Sequence, residues 1–175
     1  MTSRIETARL ILRRPEPRDL SAWEGYFSTE RSARNGGPLA PGRAWRAFAS
    51  QLGAWEINGF GMFVLTLRDG DGGVIGMVGP WCPGDWPERE IGWMLFDPAY
   101  EGKGLAFEAA EACLAHAFGP LGWDTAVSYI DPENARSRAL AERLGARIDP
   151  TADAPAFDHP ALVYRHPRPE GLTHE

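Results

Sequence analysis

Hydrophobic and polar positions along this chain follow two rhythms, and the changes of rhythm divide it into elements. The segment "ARLILRR" alternates with period two through Leu10 and Leu12, which predicts a half-buried strand. From Asp19, a candidate N-cap, the chain places Leu20, Trp23 and Phe27 on one helical face. A breaker cluster runs from Arg34 to Gly42. After it, "RAWRAFASQLGAW" sets Trp45, Phe48, Leu52 and Trp55 at helical spacing. "GFGMFVLTLRDGDGGVIGMVGPW" then predicts two strands around a glycine–aspartate turn. Asp69 and Asp71 in that turn lack the further oxygens and closing glutamate of a calcium loop. "EREIGWMLFD" predicts a third core strand, followed by a helix from Gly104 to about Phe118 and the strand "DTAVSYI". Asp131 and Pro132 suit the N-cap and first turn of another helix, ending near Leu144 with Gly145 as its C-terminal cap. "RID" and "ALVYRH" read as two short closing strands. The order predicts one α/β domain over residues 1–175, with a mixed sheet and a parallel crossover through the helix after Gly104.

Composition narrows the function classes. The chain has 175 residues, 43% of them hydrophobic and 24% charged, which suits a packed globular core. A formal net charge of -6 argues against a general nucleic-acid or anionic-membrane binder, since both need a basic surface. Two cysteines, Cys82 and Cys113, build neither a disulfide framework nor a zinc cluster. The N-terminus lacks an apolar signal core and no apolar run reaches membrane-spanning length, so a cytoplasmic protein is expected. The histidines are 116, 159, 166 and 174. Cys113 and His116 are three apart on one helix without an identifiable third ligand, so no metal is expected.

One stretch carries candidate chemistry. "DPAYEGKGLAFEAA", Asp97 to Ala110, sets two glycines around a lysine directly before an alanine-rich helix. The first N–H groups of a helix have no intrahelical partner, and the helix dipole makes that end positive. Glycines there let a phosphate approach without Cβ atoms in the way. The P-loop pattern fails, with Asp97 at its first glycine and Gly104 after Lys103; the dinucleotide pattern fails at Phe107. Three segments in order, "TARLILRR", "EIGWMLFDPAYEGKGLAFEA" and "DPENARSRALAERLGAR", resemble the Gcn5-related N-acetyltransferase superfamily (GNAT), in its ribosomal-protein alanine acetyltransferase branch. Gly104 and Ala106 match the superfamily's pyrophosphate loop, while Glu101 stands where glutamine or arginine is usual. Asn134 and Ser137 match the branch's helix-start pattern.

The resemblance implies a mixed, mostly antiparallel sheet with flanking helices, splayed between the strand ending at Phe96 and "DTAVSYI". Pantetheine of acetyl-CoA, the co-substrate, then lies in the gap on backbone groups of Met94, Leu95 and Phe96. Its pyrophosphate sits on Gly102, Lys103, Gly104, Leu105 and Ala106, and Asn134 bonds the pantetheine arm. The activity implied is acetyl transfer to a primary amine, of a peptide or a small molecule, within a ternary complex. A backbone N–H near Phe96 is the expected oxyanion donor. Glu90, among apolar neighbours that raise its pKa, is the expected base; Glu88 is the alternate, and both also fit solvent-facing strand positions. The superfamily's usual acid, a tyrosine seven residues after the asparagine, is replaced by Ala141. Ser137 is carried as the acid, with Tyr164 and Tyr129 as distant alternatives. Trp81 and Trp86 cover a core edge or face a cationic amine, Trp23 and Tyr26 lie on the acceptor side by analogy, and Arg136, Arg138 and Arg143 read as a solvated helix face. A monomer or homodimer is expected. The competing reading is an acyl-CoA sensor without turnover.

Overall fold

The computed structural model describes residues 3–169; His174 lies outside them. Eight strands form one sheet, β1 (Arg4–Glu6), β2 (Leu10–Arg13), β3 (Phe63–Leu67), β4 (Gly76–Trp81), β5 (Glu90–Leu95), β6 (Val127–Ile130), β7 (Arg147–Ile148) and β8 (Leu162–Arg165). Their spatial order is β1-β2-β3-β4-β5-β6-β8-β7, and every adjacent pair is antiparallel except β5 with β6. Four α-helices accompany them: α1 (Leu20–Phe27), α2 (Pro41–Ile57), α3 (Leu105–Phe118) and α4 (Ala135–Arg143). The α/β architecture and the crossover through α3 match the sequence expectation.

The sheet is covered on both faces. Leu10, Leu12, Phe63, Leu65, Val78 and Ile91 pack with α3. The helix presents Ala109, Ala110, Cys113 and Ala117, all fully buried, and such small side chains let it lie close to the strands. Cys113 is therefore a packing residue with a long contact to the Val78 carbonyl, and His116 meets the edge of Phe63. On the opposite face Val64 and Met77 pack with Trp23, Phe27, Ala44 and Phe48 of α1 and α2.

Three local expectations are corrected. Trp45 is 56% exposed, and the buried stripe of α2 runs instead through Ala44, Phe48, Gln51 and Trp55. Both stripes satisfy a 3.6-residue period, so spacing alone does not choose between them. Asp19 does not cap α1 with its side chain: it is buried and clamps Arg13 at 2.7 and 2.8 Å. The helix after β6 begins later than Asp131 suggests. Asn134 is its N-cap, its Oδ1 accepting from the Ser137 N–H, while Asp131 closes a turn by accepting from the Glu133 N–H. β1, three partly exposed residues, has no pattern long enough to read in the sequence.

Candidate active site

The parallel pair makes the site. β5 and β6 share a single register position, Glu90 opposite Val127, and diverge beyond it. Just past this apex a side chain replaces the missing ladder: Ser128 Oγ donates to the Ile91 carbonyl at 2.6 Å. That hydroxyl has one proton, so the His166 ring at 2.8 Å donates from Nε2 to Ser128 Oγ. Nδ1 of His166 has no partner among the described residues, and burial pushes the imidazole down to about 4. The strands are thus bridged where they begin to diverge by a buried serine–histidine pair that period-two reading does not single out.

Alternation along β5 decides which backbone groups face the gap. The Phe96 N–H donates to the Ile75 carbonyl at 2.9 Å, and Met94 lies opposite Met77 of β4. The Phe96 N–H and the main-chain groups of Met94 expected in the gap are therefore turned towards β4, which removes the Phe96 N–H as oxyanion donor, while the Phe96 carbonyl accepts from Arg31 Nε at 3.3 Å. Trp93 and Leu95, one residue out of phase, present their N–H groups to the gap. The Leu95 carbonyl is held by Arg31 Nη2 at 3.2 Å.

Two connected cavities follow. One, about 1120 Å³, runs from the gap over the loop before α3, lined by Leu95, Gly102, Gly104, Ala106, Asn134 and Arg136 among others. The other, about 660 Å³, lies beyond the apex, with Trp23, Trp81, Trp86, Glu90 and Ser128 in its walls. Trp93, Met94, Asn134 and Ser137 line both. At the loop, Gly102 and Gly104 have φ of +70° and +73°, a region that favours glycine, and Gly104 caps α3. The first turn of α3 leaves the N–H groups of Leu105, Ala106 and Phe107 without helical carbonyls. Arg9 braces this loop from β2's approach, donating to the Lys103 carbonyl at 2.8 Å and to Glu108 at 2.6 Å. Lys103 itself projects over the Tyr100 ring.

Glu101 does not face this cavity as a bare carboxylate. It bridges Arg31 at 2.9 Å and Arg136. The arginines of α4 are consequently more than a solvated face: Arg143 stacks 4.0 Å over Phe107, and Arg138 holds Tyr164 and the Pro132 carbonyl. Arg34 pairs with Asp131 at 2.6 Å, so the turn Glu30–Asn35 straps the mouth of the gap through two ion pairs. No periodic signal in the breaker cluster points to these contacts.

Among the titratable candidates, Glu90 stands apart. Trp86 Nε1 donates to its Oε2 at 2.6 Å. Burial pushes its carboxyl up to about 7, against the opposing hydrogen bonds from Trp86 and the Tyr129 backbone. Glu88, the alternate, is committed to a bidentate pair with Arg165 at 2.7 and 2.9 Å. Ser137 Oγ accepts from Trp93 Nε1 at 3.1 Å, which leaves its own proton free to donate into the shared space. Ala141 is fully buried in a cluster with Ile130, Ala146 and Tyr164, away from both cavities. Tyr164 is buried too and donates to Glu142, which takes it out of the cleft. Tyr129 lines the smaller cavity, accepts from the Glu88 N–H, and is pushed up to about 12 by burial. Tyr26 stacks 4.8 Å from Phe96 along the larger cavity. Among the described residues no group of three or more His, Cys, Asp or Glu could hold a metal ion, and no helix is long and apolar enough to cross a membrane.

Comparison with known proteins agrees with this geometry. A family model described as an acetyltransferase (GNAT) domain matches residues 9–147. An acetyltransferase from Agrobacterium tumefaciens str. C58 is 36% identical, with 95% of each chain covered and a TM-score of 0.87. RimL, a ribosomal L7/L12 alpha-N-protein acetyltransferase solved with coenzyme A, is 14% identical, a likeness of fold at TM-score 0.73 over 93% of this chain and 97% of that one. YnaD of Bacillus subtilis (strain 168), an uncharacterized N-acetyltransferase, is 38% identical over 58 residues, which span 33% of this chain and about a third, 34%, of that protein.

Proposed function

The chain belongs to the GNAT family of acetyl-CoA-dependent acetyltransferases, and from that premise we propose that it transfers the acetyl group to a primary amine by direct attack in a ternary complex. The observation that carries the reading is a gap between β5 and β6 that opens at one end on a glycine-framed helix N-terminus and at the other on Glu90.

The residues present fit acetyl-CoA. The Leu95 N–H and the Trp93 carbonyl offer a strand edge to the pantetheine arm. Asn134 keeps its Nδ2 group for that arm, since Oδ1 is spent on the helix cap. Gly102, Lys103, Gly104, Leu105 and Ala106 supply backbone donors for the pyrophosphate, with Arg136 and Arg143 beside them. Acetyl-CoA supplies the activated acyl carbon. Around it, Glu90 accepts the proton of the attacking amine, and a carboxyl near 7 is matched to that task at neutral pH. The cleft-facing N–H of Trp93, the one nearer Glu90 along the strand, stabilises charge developing on the acyl oxygen. As the C–N bond forms and the C–S bond breaks, the Ser137 hydroxyl donates its proton to the departing thiolate and regains one from solvent water in the cleft.

A second reading, an acyl-CoA sensor without turnover, draws support from the alanine buried at position 141. Calorimetric titration with acetyl-CoA, followed by free-thiol release against a panel of amines, separates the two. Binding with amine-dependent release supports the acetyltransferase. Binding without release for every amine favours the sensor, and absence of binding overturns both.

A further inference from the structure

The smaller cavity is lined along one side by a single stripe of α2. Arg43, Arg46, Ala47, Ser50 and Gln51 recur at helical spacing and all face it. Arg43 and Arg46 are at the exposed end of the stripe and enter no ion pair among the described residues. Deeper, Gln51 is 5% exposed and its Oε1 has no hydrogen-bond partner among the described residues. Such an unpaired oxygen costs about 1–3 kcal/mol until a donor reaches it.

The charges are unevenly distributed. Three arginines and two carboxylates line this cavity, in a chain whose formal net charge is -6. Arg34 is neutralised by Asp131, which leaves Glu90 as the one acid in the interior and, among the described residues, Arg43 and Arg46 as unpaired cations at the rim. His159 lines the rim as well, its Nδ1 against the Pro160 carbonyl. Between the two ends the walls are Trp23, Phe27, Trp81, Trp86 and Phe157. A simple cation receptor has no use for two unpaired guanidiniums at its entrance.

Resting on the acetyltransferase reading, we infer that the acceptor is a small amino-carboxylate. It is a primary amine on an apolar body the size of an aromatic ring, with its amine near Glu90 and Gln51 and its carboxylate at Arg43 and Arg46. About 660 Å³ lies within the range of small-molecule sites. In a protein N-terminus the α-carboxylate is consumed in the peptide bond, so its backbone brings no anion to the two arginines. Guanidinium–carboxylate hydrogen bonds supply the discrimination.

The test uses the full chain with coenzyme A present. 4-(Aminomethyl)benzoate, whose amine and carboxylate stand at opposite ends of one ring, and the corresponding benzamide are titrated calorimetrically, and both are then assayed for thiol release with acetyl-CoA. We expect the acid to show a Kd and KM lower by about tenfold than the amide, roughly the effect of one charge-assisted contact. The Arg43→Ala/Arg46→Ala variant is expected to erase the difference, and Arg43→Lys/Arg46→Lys to retain part of it. Equal binding of acid and amide overturns this inference while thiol release still upholds acetyl transfer. Binding of the acid without thiol release upholds the anion site and counts against acetyl transfer to it. Turnover confined to peptide N-termini overturns the inference.

Discussion

The two cavities that meet at Trp93, Asn134 and Ser137 are built from different materials. The larger is mainly main chain: two positive-φ glycines, a helix N-terminus and the edge of a strand. The smaller is almost wholly side chains, drawn from α1, α2, the loop before β5, β6 and the segment around Phe157. A backbone site tolerates side-chain change as long as the chain can still take its conformation, which is how Glu101 is accommodated: two arginines neutralise it. A side-chain site has no such reserve, because each wall residue is itself the recognition element.

The comparison breaks most sharply at Glu90. Glu90→Gln is expected to lower kcat by about 10²–10⁴-fold while leaving acetyl-CoA affinity intact. In the parent, kcat/KM is expected to rise with pH through about 7, as the carboxyl loses its proton, and the variant to lose that limb. A pH–rate profile with parallel calorimetry checks both. A variant that binds and reacts normally removes Glu90 from the chemistry.

On the main-chain side, Gly104→Ala brings a methyl group to the donors of α3 and strains a position at φ +73°, at about 1–2 kcal/mol. The added Cβ meets only the Arg9 guanidinium, at 3.5 Å, so the fold is expected to survive. Acetyl-CoA affinity is expected to fall about tenfold with kcat little changed, read by calorimetry and steady-state kinetics.

The seam between the cavities has its own pH signature. His166 has a folded value of about 4 against 6.5 unfolded, so its contribution to stability is complete above 6.5 and is lost as pH falls towards 4. The shift corresponds to about 3 kcal/mol at most. Glu90 acts in the opposite sense, since its raised value favours the fold below 4.5 and is lost as pH rises through about 7. Denaturant titrations from pH 7 to pH 4 in a Glu90→Gln background isolate the histidine, and His166→Gln is expected to flatten the acid slope.

The smallest effect is expected at Glu101. Glu101→Gln frees Arg31 and Arg136 for phosphate and is expected to tighten acetyl-CoA binding by about two- to fivefold, since partly exposed ion pairs are worth about 1 kcal/mol or less. Calorimetry at low and high salt tests it, with the gain fading as salt screens the charges.

What sequence reading reached and missed follows the same division. β2, β3, β4, β5, α3 and the crossover were legible because hydrophobic period is a local property, and the α3 glycines because a helix N-terminus needs only neighbouring residues. The direction of the Phe96 N–H was not legible, since it depends on which strand β5 pairs with along that edge. Glu88 shares the strand parity of Glu90 and is the alternate base on sequence alone; Arg165, distant in the chain, claims it.

The sequence by itself therefore determined the α/β order, the parallel crossover and the glycine-framed opening before α3, all consequences of short-range patterning and backbone sterics. Only the tertiary structure decided that Ser128 and His166 bridge the diverging strands, that burial raises Glu90, and that Arg43 and Arg46 have no ion-pair partner among the described residues above an aromatic cavity. Those properties belong to desolvation and to charge pairing between elements far apart in the chain, and neither is set until the elements pack.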